Sequence, residues 1–378
     1  MKKRLLIIVN VDWFFLSHRL PIAVAAAEQG YEVHIATSLT KPITELEKFG
    51  FTIHPIKLNR GRYDVFSILM YFSRIITLIP MIKPDLIHLV TIKPVLIGGI
   101  AARILRVPSV LYAISGMGYV FIGTSLIHRF LRKLISALYR FALHHRNSIV
   151  LFQNTTDQRD ISSIADLNKS SCKIIKGSGV NTSLYKVTDL PAGKPIIMFP
   201  SRLLRDKGVY EFVNAARELM LSENDPPRFV IVGDIDPENQ SSLTDKEVKN
   251  WVNEGVIEHW GFQTDMFEVL SQASLVVLPS YREGLPKVLI EAAACGRAVL
   301  TTDVPGCRDA IIPNVTGKLV PVRDTPALKD EIRNLINDRR LLRKMGVAGR
   351  KLAIENFDLN FVVEKHLTIY QSLIRNIT

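Results

Sequence analysis

The 378-residue chain is 47% hydrophobic, enough for two domains of ordinary size with large cores. Its three cysteines, Cys172, Cys295 and Cys307, match no metal or redox spacing, which argues against a disulfide-stapled fold and for free thiols in the cytosol. The net charge of +12 is uneven: residues 1–185 hold 23 Lys+Arg against 10 Asp+Glu, and residues 186–378 hold 25 against 26. The basic first half calls for an anionic partner: nucleic acid, a phosphorylated small molecule or an anionic membrane.

The start, Met1-Lys-Lys-Arg, imitates a secretory leader, but its apolar core runs only from Leu5 to Val9 before Asn10 and Asp12, too short for one. It reads instead as a strand buried on both faces of a parallel sheet. A loop over Asn10–Arg19, a helix over Leu20–Gln29 stopped by Gly30, and a strand over Tyr31–Ala36 follow. This order makes a Rossmann-like unit. It carries no G-x-G-x-x-G, so no dinucleotide site is expected. The crevice of such a sheet lies beyond the carboxyl ends of its strands. That puts Asn10, Ser17, His18 and Arg19 on its rim, with His18 either a substrate contact or a helix-start residue without chemistry. Strands are expected at Asp85–Val90 and Ser109–Ile114. After the second comes Ser115-Gly-Met-Gly118, where Gly116 and Gly118 form either a simple tight turn or a place for backbone to approach a phosphate or sugar.

Two apolar segments stand out. Val65–Ile82 carries Arg74 in its middle and Pro80 near its end and is not read as a membrane span. In Ser125–Arg146, Ile127, Leu131, Leu134, Leu138 and Phe141 recur at helical spacing, interleaved with Arg129, Arg132, Lys133, Arg140 and Arg146. This is either an ordinary surface helix or one that lies on an anionic bilayer, with Val65–Ile82 as a second contact. Nucleic acid is the weaker reading, since no binding motif accompanies the charge.

Strands at Ser148–Gln153 and Cys172–Ile175 precede the glycine-rich Lys176–Tyr185 and the Pro191- and Gly193-bearing stretch to Lys194, read as a linker. A strand over Pro195–Phe199 runs into Ser201-Arg-Leu-Leu-Arg-Asp-Lys-Gly208, placing Arg202 and Lys207 on one rim before a helix over Val209–Leu221. Phe229–Val232 is a strand ending at Gly233. The apolar run Ala273–Pro279 leads into Ser280-Tyr-Arg-Glu-Gly-Leu-Pro-Lys-Val-Leu-Ile-Glu291. Pro286 suits the first position of a helix and Gly296 its end. Glu283 then sits on a loop and Glu291 inside the helix, with free amides and the positive end of a helix dipole between them, which suits an anion.

The string Glu283-Gly-Leu-Pro-Lys-Val-Leu-Ile-Glu291 resembles the E-x7-E signature of the retaining glycosyltransferases of family 4. Arg202 and Lys207 match that family's R-x4-K pair. Gly179-Val-Asn with Tyr185, Trp260-Gly-Phe262 and Asp303-Val-Pro-Gly306 fit its pattern as well. The histidine that many members carry near residues 112–121 is absent. The resemblance implies an α/β, GT-B architecture: two Rossmann-like domains facing across a cleft, with a C-terminal helix crossing back to the first. Residues 1–185, with 361–378 packing back on them, would bind the acceptor, and residues 186–360 the sugar-nucleotide donor.

It further implies a retaining transfer of a hexose or N-acetylhexosamine from a nucleotide-sugar, with a lean to UDP, onto a lipid-linked saccharide in bacterial surface polysaccharide or glycan assembly. Glu283 would be the catalytic carboxylate facing the sugar. Arg202, Lys207, Gly233, Phe262, Gly284, Leu285, Pro286, Lys287, Val288 and Glu291 would form the donor site, and Asn10, Ser17, His18, Gly116 and Gly118 the acceptor side. No metal is expected, although Asp234-Ile-Asp236 is formally a D-x-D. The place of action would be the cytoplasmic face of the plasma membrane, held peripherally. A sugar-nucleotide epimerase of the same fold and a non-enzymatic sugar-nucleotide-binding scaffold remain as alternatives.

Overall fold

The computed structural model describes residues 2–57, 65–116 and 126–376, and among these the side chains of 126–134 are not described. Gly118 and Ser125 therefore lie outside the described residues, as do the side chains of Ile127, Arg129, Leu131, Arg132, Lys133 and Leu134. The chain divides into two compact units. One comprises Met1–Ser178 with Phe361–Thr378, and the other Gly179–Asn360.

The first unit is built on a seven-stranded sheet: β1 (Arg4–Val11), β2 (Glu32–Ser38), β3 (Thr52–Pro55), β4 (Leu86–Val90), β5 (Ser109–Ile114), β6 (Ser148–Phe152) and β7 (Cys172–Ile174), in the order 3-2-1-4-5-6-7. All its pairings are parallel. The continuous apolar runs arise because both faces are covered: Leu6, Ile8, Ile87 and Leu89 enter one core cluster, and Leu5, Ile7, Leu86 and Val90 the other. The second unit has six strands, β8 (Ile196–Pro200), β9 (Arg228–Val232), β10 (Glu258–His259), β11 (Leu275–Leu278), β12 (Ala298–Thr302) and β13 (Gly317–Val320), in the order 10-9-8-11-12-13. Both orders reverse once, between β1 and β4 and between β8 and β11. In an open parallel sheet such a reversal is where loops part and a ligand fits.

Two expectations change. Residues 12–18 are a helix, Asp12–His18, not part of a loop. The buried Asp12 carboxylate takes the Trp13 amide at 2.7 Å, the Thr40 amide at 2.6 Å and the Lys41 amide at 2.9 Å, tying the first turn to the loop after β2. The first unit ends at Ser178 rather than Tyr185, because residues 181–185 are bound into the second unit: the Arg350 guanidinium donates to the Tyr185 and Thr182 carbonyls. The helix Leu126–Leu143, read either as an ordinary surface helix or as one that lies on a bilayer, has Leu138 and Phe141 exposed and Tyr139, Ala142 and Leu143 buried.

The helix Val65–Ile82 is long and apolar enough to cross a membrane by composition. Here Tyr71, Ile75, Leu78, Ile79 and Ile82 are buried in the first unit, and Val65, Phe66, Leu69, Met70 and Met81 are exposed. It and the Leu126–Leu143 helix both pack against the segment Pro94–Ile104.

The helix Leu359–Arg375 belongs to the first unit from Phe361 onward. The Tyr370 hydroxyl lies 2.7 Å from His88 Nδ1, and the Leu373 carbonyl accepts from Ser109 Oγ at 3.0 Å and Asn147 Nδ2 at 2.8 Å. Burial lowers Arg19 to about 10 and His366 to about 3, and holds His88 well below its ordinary range, with the Arg19 guanidinium adding to the effect on both histidines. Both histidines are thus neutral in the folded state. Below about pH 6.5 the unfolded chain takes up protons that the folded chain refuses, so stability falls as pH drops from there toward 3, by up to about 1.4 kcal/mol per pH unit for each histidine. His366→Gln is expected to flatten this acid-side slope in urea unfolding measured between pH 7 and pH 5.

In the second unit, the helix Arg339–Asn356 lies close against the end of the helix Lys287–Ala294. A Cβ at Gly346 would sit 1.9 Å from the Gly296 carbonyl oxygen. Alanine favours a helix interior over glycine by about 1 kcal/mol. Gly346→Ala is nevertheless expected to destabilise, by about 1–3 kcal/mol, because the backbones must separate. The urea midpoint measures it.

Candidate active site

The reversal between β8 and β11 is where the second unit gathers its chemistry. After β8 the chain passes Ser201 and Arg202 into a short turn, Arg205–Lys207, closed by Gly208. Gly208 has φ +76, and a Cβ there would lie 2.1 Å from the Pro279 carbonyl oxygen. This contact seats the turn on the chain leaving β11, and the Tyr281 amide donates to the Asp206 carbonyl at 2.9 Å. Lys207 is thereby brought onto Glu283, and its ammonium donates to Glu283 Oε1. The same oxygen accepts from Ser280 Oγ at 2.7 Å. Both side chains of the pair are largely withdrawn from solvent, at 15% and 12% exposure, so neither charge is left to water.

Two more glycines shape the rim. Gly233, at φ +127, would place a Cβ 2.2 Å from the Ser201 carbonyl oxygen, and Gly306, at φ +81, would place one 2.5 Å from that of Glu283. The Glu283 amide donates to the Pro305 carbonyl at 3.2 Å. Arg202 donates to Asp236 Oδ2 at 2.7 Å, so the second aspartate of the D-x-D is engaged by a cation.

Pro286 is the N-cap rather than the first helical residue, with an extended ψ of 118°, and the helix runs Lys287–Ala294 with no side chain capping its first amides. Leu285 turns into the core. Glu291, in the second turn, is 5% exposed. Its Oε1 accepts from the Tyr185 hydroxyl at 3.0 Å and lies 3.1 Å from Lys287 Nζ. Lys287 and Val288 are half-buried at the helix start. Phe262 is 67% exposed, on the stretch after β10.

Burial pushes the Cys295 and Cys307 thiols up to about 12, Cys295 beside Glu291 and Cys307 beside Glu283. They flank the carboxylates as inert thiols.

The structure thus gathers Lys207 with Glu283, Gly233 with the Arg202 strand end, and Lys287 with Glu291. Sequence reasoning missed Ser280, Tyr185 and the engagement of Asp236. Ser280 had a signal, its place at the end of β11. Tyr185 had none for its contact, which spans 106 positions.

The first unit holds the other candidates. Asn10 is in β1, Ser17 is exposed on the Asp12–His18 helix, His18 stacks on Phe14 at 4.1 Å, and Gly116 has φ +124. Asn10 Oδ1, Thr91 Oγ1 and Ser115 Oγ are buried without hydrogen-bond partners among the described residues. They stand at the carboxyl ends of three adjacent strands, since Ile8 pairs with Leu89 and Val90 with Ala113. Thr91 holds φ +72, a conformation a β-branched residue adopts only under constraint. Thr91 and Ser115 are additions to the expected acceptor side.

Known proteins share the family patterns and the two-sheet fold. The family described as "Glycosyl transferases group 1" matches residues 181–352, and that described as "Glycosyl transferase 4-like" matches residues 4–154. Over 96% of this chain and 99% of its own, the N,N'-diacetylbacillosaminyl-diphospho-undecaprenol alpha-1,3-N-acetylgalactosaminyltransferase of Campylobacter jejuni is 25% identical. The capsular polysaccharide biosynthesis glycosyltransferase CapM of Staphylococcus aureus is 25% identical over 92% of both chains. Among solved structures, a glycosyltransferase from Rickettsia africae superposes with a TM-score of 0.76 at 20% identity, covering 99% of both chains. Anabaena HepE in complex with UDP superposes at 0.74 with 19% identity, covering 98% of this chain and 100% of its own.

Proposed function

We propose, from the premise that this chain belongs to the 4-like, group 1 glycosyltransferases of GT-B fold, that it is a retaining transferase moving a hexose or N-acetylhexosamine from a UDP-sugar to a lipid-linked saccharide. The observation that carries the reading is the Lys207–Glu283 pair beside the uncapped helix start at Lys287. It sets a cation, a helix start without a side-chain cap and a carboxylate around one loop, which is what a diphosphate next to a reacting sugar requires.

Arg202, Lys207 and the Lys287 and Val288 amides hold the donor's phosphates. Charge-assisted hydrogen bonds contribute about 1.5–3 kcal/mol each and the helix start about 0.3–2 kcal/mol. Arg202 and Lys207 leave Asp236 and Glu283 as the diphosphate arrives. Glu283, released from its lysine, orients the sugar and stabilises positive charge at the anomeric carbon. The bond from that carbon to the diphosphate oxygen breaks. A new bond forms on the same face to the acceptor hydroxyl, whose proton goes to the departing diphosphate. Glu291 accepts hydrogen bonds from the ribose. The reaction runs without a metal: phosphate charge is met by cations of the chain, Arg202 and Lys207.

The acceptor side is the β1, β4 and β5 strand ends, around Asn10 and Gly116. That the Campylobacter jejuni relative is named for a diphospho-undecaprenol substrate supports a lipid-linked acceptor here. The exposed Val65, Phe66, Leu69 and Met70, with Leu138, Phe141 and Arg140 on the Leu126–Leu143 helix, support docking on the anionic cytoplasmic face of a membrane.

Purified protein is expected to transfer one sugar from a panel of UDP- and GDP-sugars to polyprenyl-diphosphate-linked saccharide in anionic vesicles, with EDTA present, and to bind those vesicles less as salt rises. Loss of transfer in EDTA, restored by a divalent cation, would sink metal independence. Absence of vesicle binding even at low salt would remove the membrane from the account. Glu283→Gln is expected to lower kcat about a hundredfold or more with little change in donor KM. Arg202→Ala is expected to raise donor KM about tenfold or more, read in the same assay.

A further inference from the structure

We propose that Tyr185 is a positioning residue of the nucleotide site, fixing the Glu291 carboxylate so that its second oxygen reads the donor's ribose. The inference rests on the reading of Glu291 just given and extends it to a residue that the sequence pattern left as part of a linker.

The Tyr185 hydroxyl donates to Glu291 Oε1 at 3.0 Å, and Lys287 Nζ is 3.1 Å from the same oxygen. Oε2 takes no hydrogen bond from the described residues and is not among the buried polar atoms sealed without a partner. One oxygen is therefore committed and the other is left to accept. A carboxylate held at one oxygen by two donors cannot turn freely about its last bond, so the direction of the second oxygen is fixed before a ligand arrives.

Tyr185 is itself held. Arg350 donates to its carbonyl, its amide donates to the Asn181 carbonyl at 2.9 Å, and its ring meets the edge of Phe267 with centroids 6.2 Å apart. Burial, followed by the adjacent Glu291 carboxylate, pushes the phenol above its ordinary range, so the hydroxyl stays protonated and remains a donor across the working pH range. Phenylalanine at 185 would keep the ring contact and lose only the hydroxyl.

The test is calorimetric binding of UDP, GDP and their 2′-deoxy forms to the full chain and its variants. Wild type is expected to prefer the ribonucleotide about tenfold or more, the value of one hydrogen bond to a charged acceptor. Tyr185→Phe is expected to cut that ratio below about threefold while kcat at saturating donor stays within about twofold. Phe267→Leu, which loosens the ring but keeps the hydroxyl, is expected to retain the ratio. An unchanged ratio in Tyr185→Phe, with all ligands weakened alike, would overturn the proposal and leave Tyr185 a packing residue. A ratio lost in Phe267→Leu as well would also overturn it. Failure of wild type to bind any of the four nucleotides would overturn the donor-site reading itself, and this inference with it.

Discussion

The second unit of this protein depends on backbone standing where no side chain would fit. At Gly208 the turn after β8 touches the carbonyl at the end of β11, and a single methyl group would meet it at 2.1 Å. Gly233 against Ser201 and Gly306 against Glu283 repeat the device. Each glycine has a positive φ and seats one loop on a neighbouring carbonyl. The sheet order creates the opening between β8 and β11, and the glycines decide how closely its two lips approach. Lys207 reaches Glu283 because of that approach, and the site's electrostatics follow from it.

Those electrostatics are balanced within the unit. Arg202 has Asp236, Lys207 has Glu283 and Lys287 has Glu291. A largely buried ion pair adds little net stability, since its attraction is offset by lost hydration. An anion arriving at such cations would compete on nearly even terms with the carboxylates, since one anion is exchanged for another without a cation being exposed bare. The first unit differs. Its strand ends carry polar atoms with no partner, each costing about 1–3 kcal/mol of desolvation. Such a cost is tolerated where a ligand returns it.

Much of this was legible in the sequence because parallel strands buried on both faces leave continuous apolar runs. Ser109–Ile114 has in the structure the bounds that its sequence implies. The Glu283–Glu291 loop and helix were legible from Gly284, Pro286 and Gly296, residues that punctuate a chain locally. What was not legible was set by distant partners. The Asp12–His18 helix is anchored to Thr40 and Lys41, 28 and 29 positions on. In Leu126–Leu143 the period gave the helix but not its inward face, because apolar residues occur on both sides. The family resemblance supplied roles for residues, and the geometry added which oxygen of each glutamate is already occupied.

The return of the chain to its first unit has a consequence for how the protein is made. Phe361–Asn376 emerge from the ribosome only after all of Gly179–Asn360, yet Tyr370 and Leu373 complete hydrogen bonds begun by His88, Ser109 and Asn147. Domains generally fold as units during synthesis, in the order they appear. Here the unit translated first is the one finished second: it waits, with the floor under His88 and Arg19 uncovered, while its younger neighbour has every strand it needs. Vectorial synthesis leaves the first unit the more vulnerable one during translation, and a ribosome stalled before residue 361 would yield a complete second unit joined to an unfinished partner.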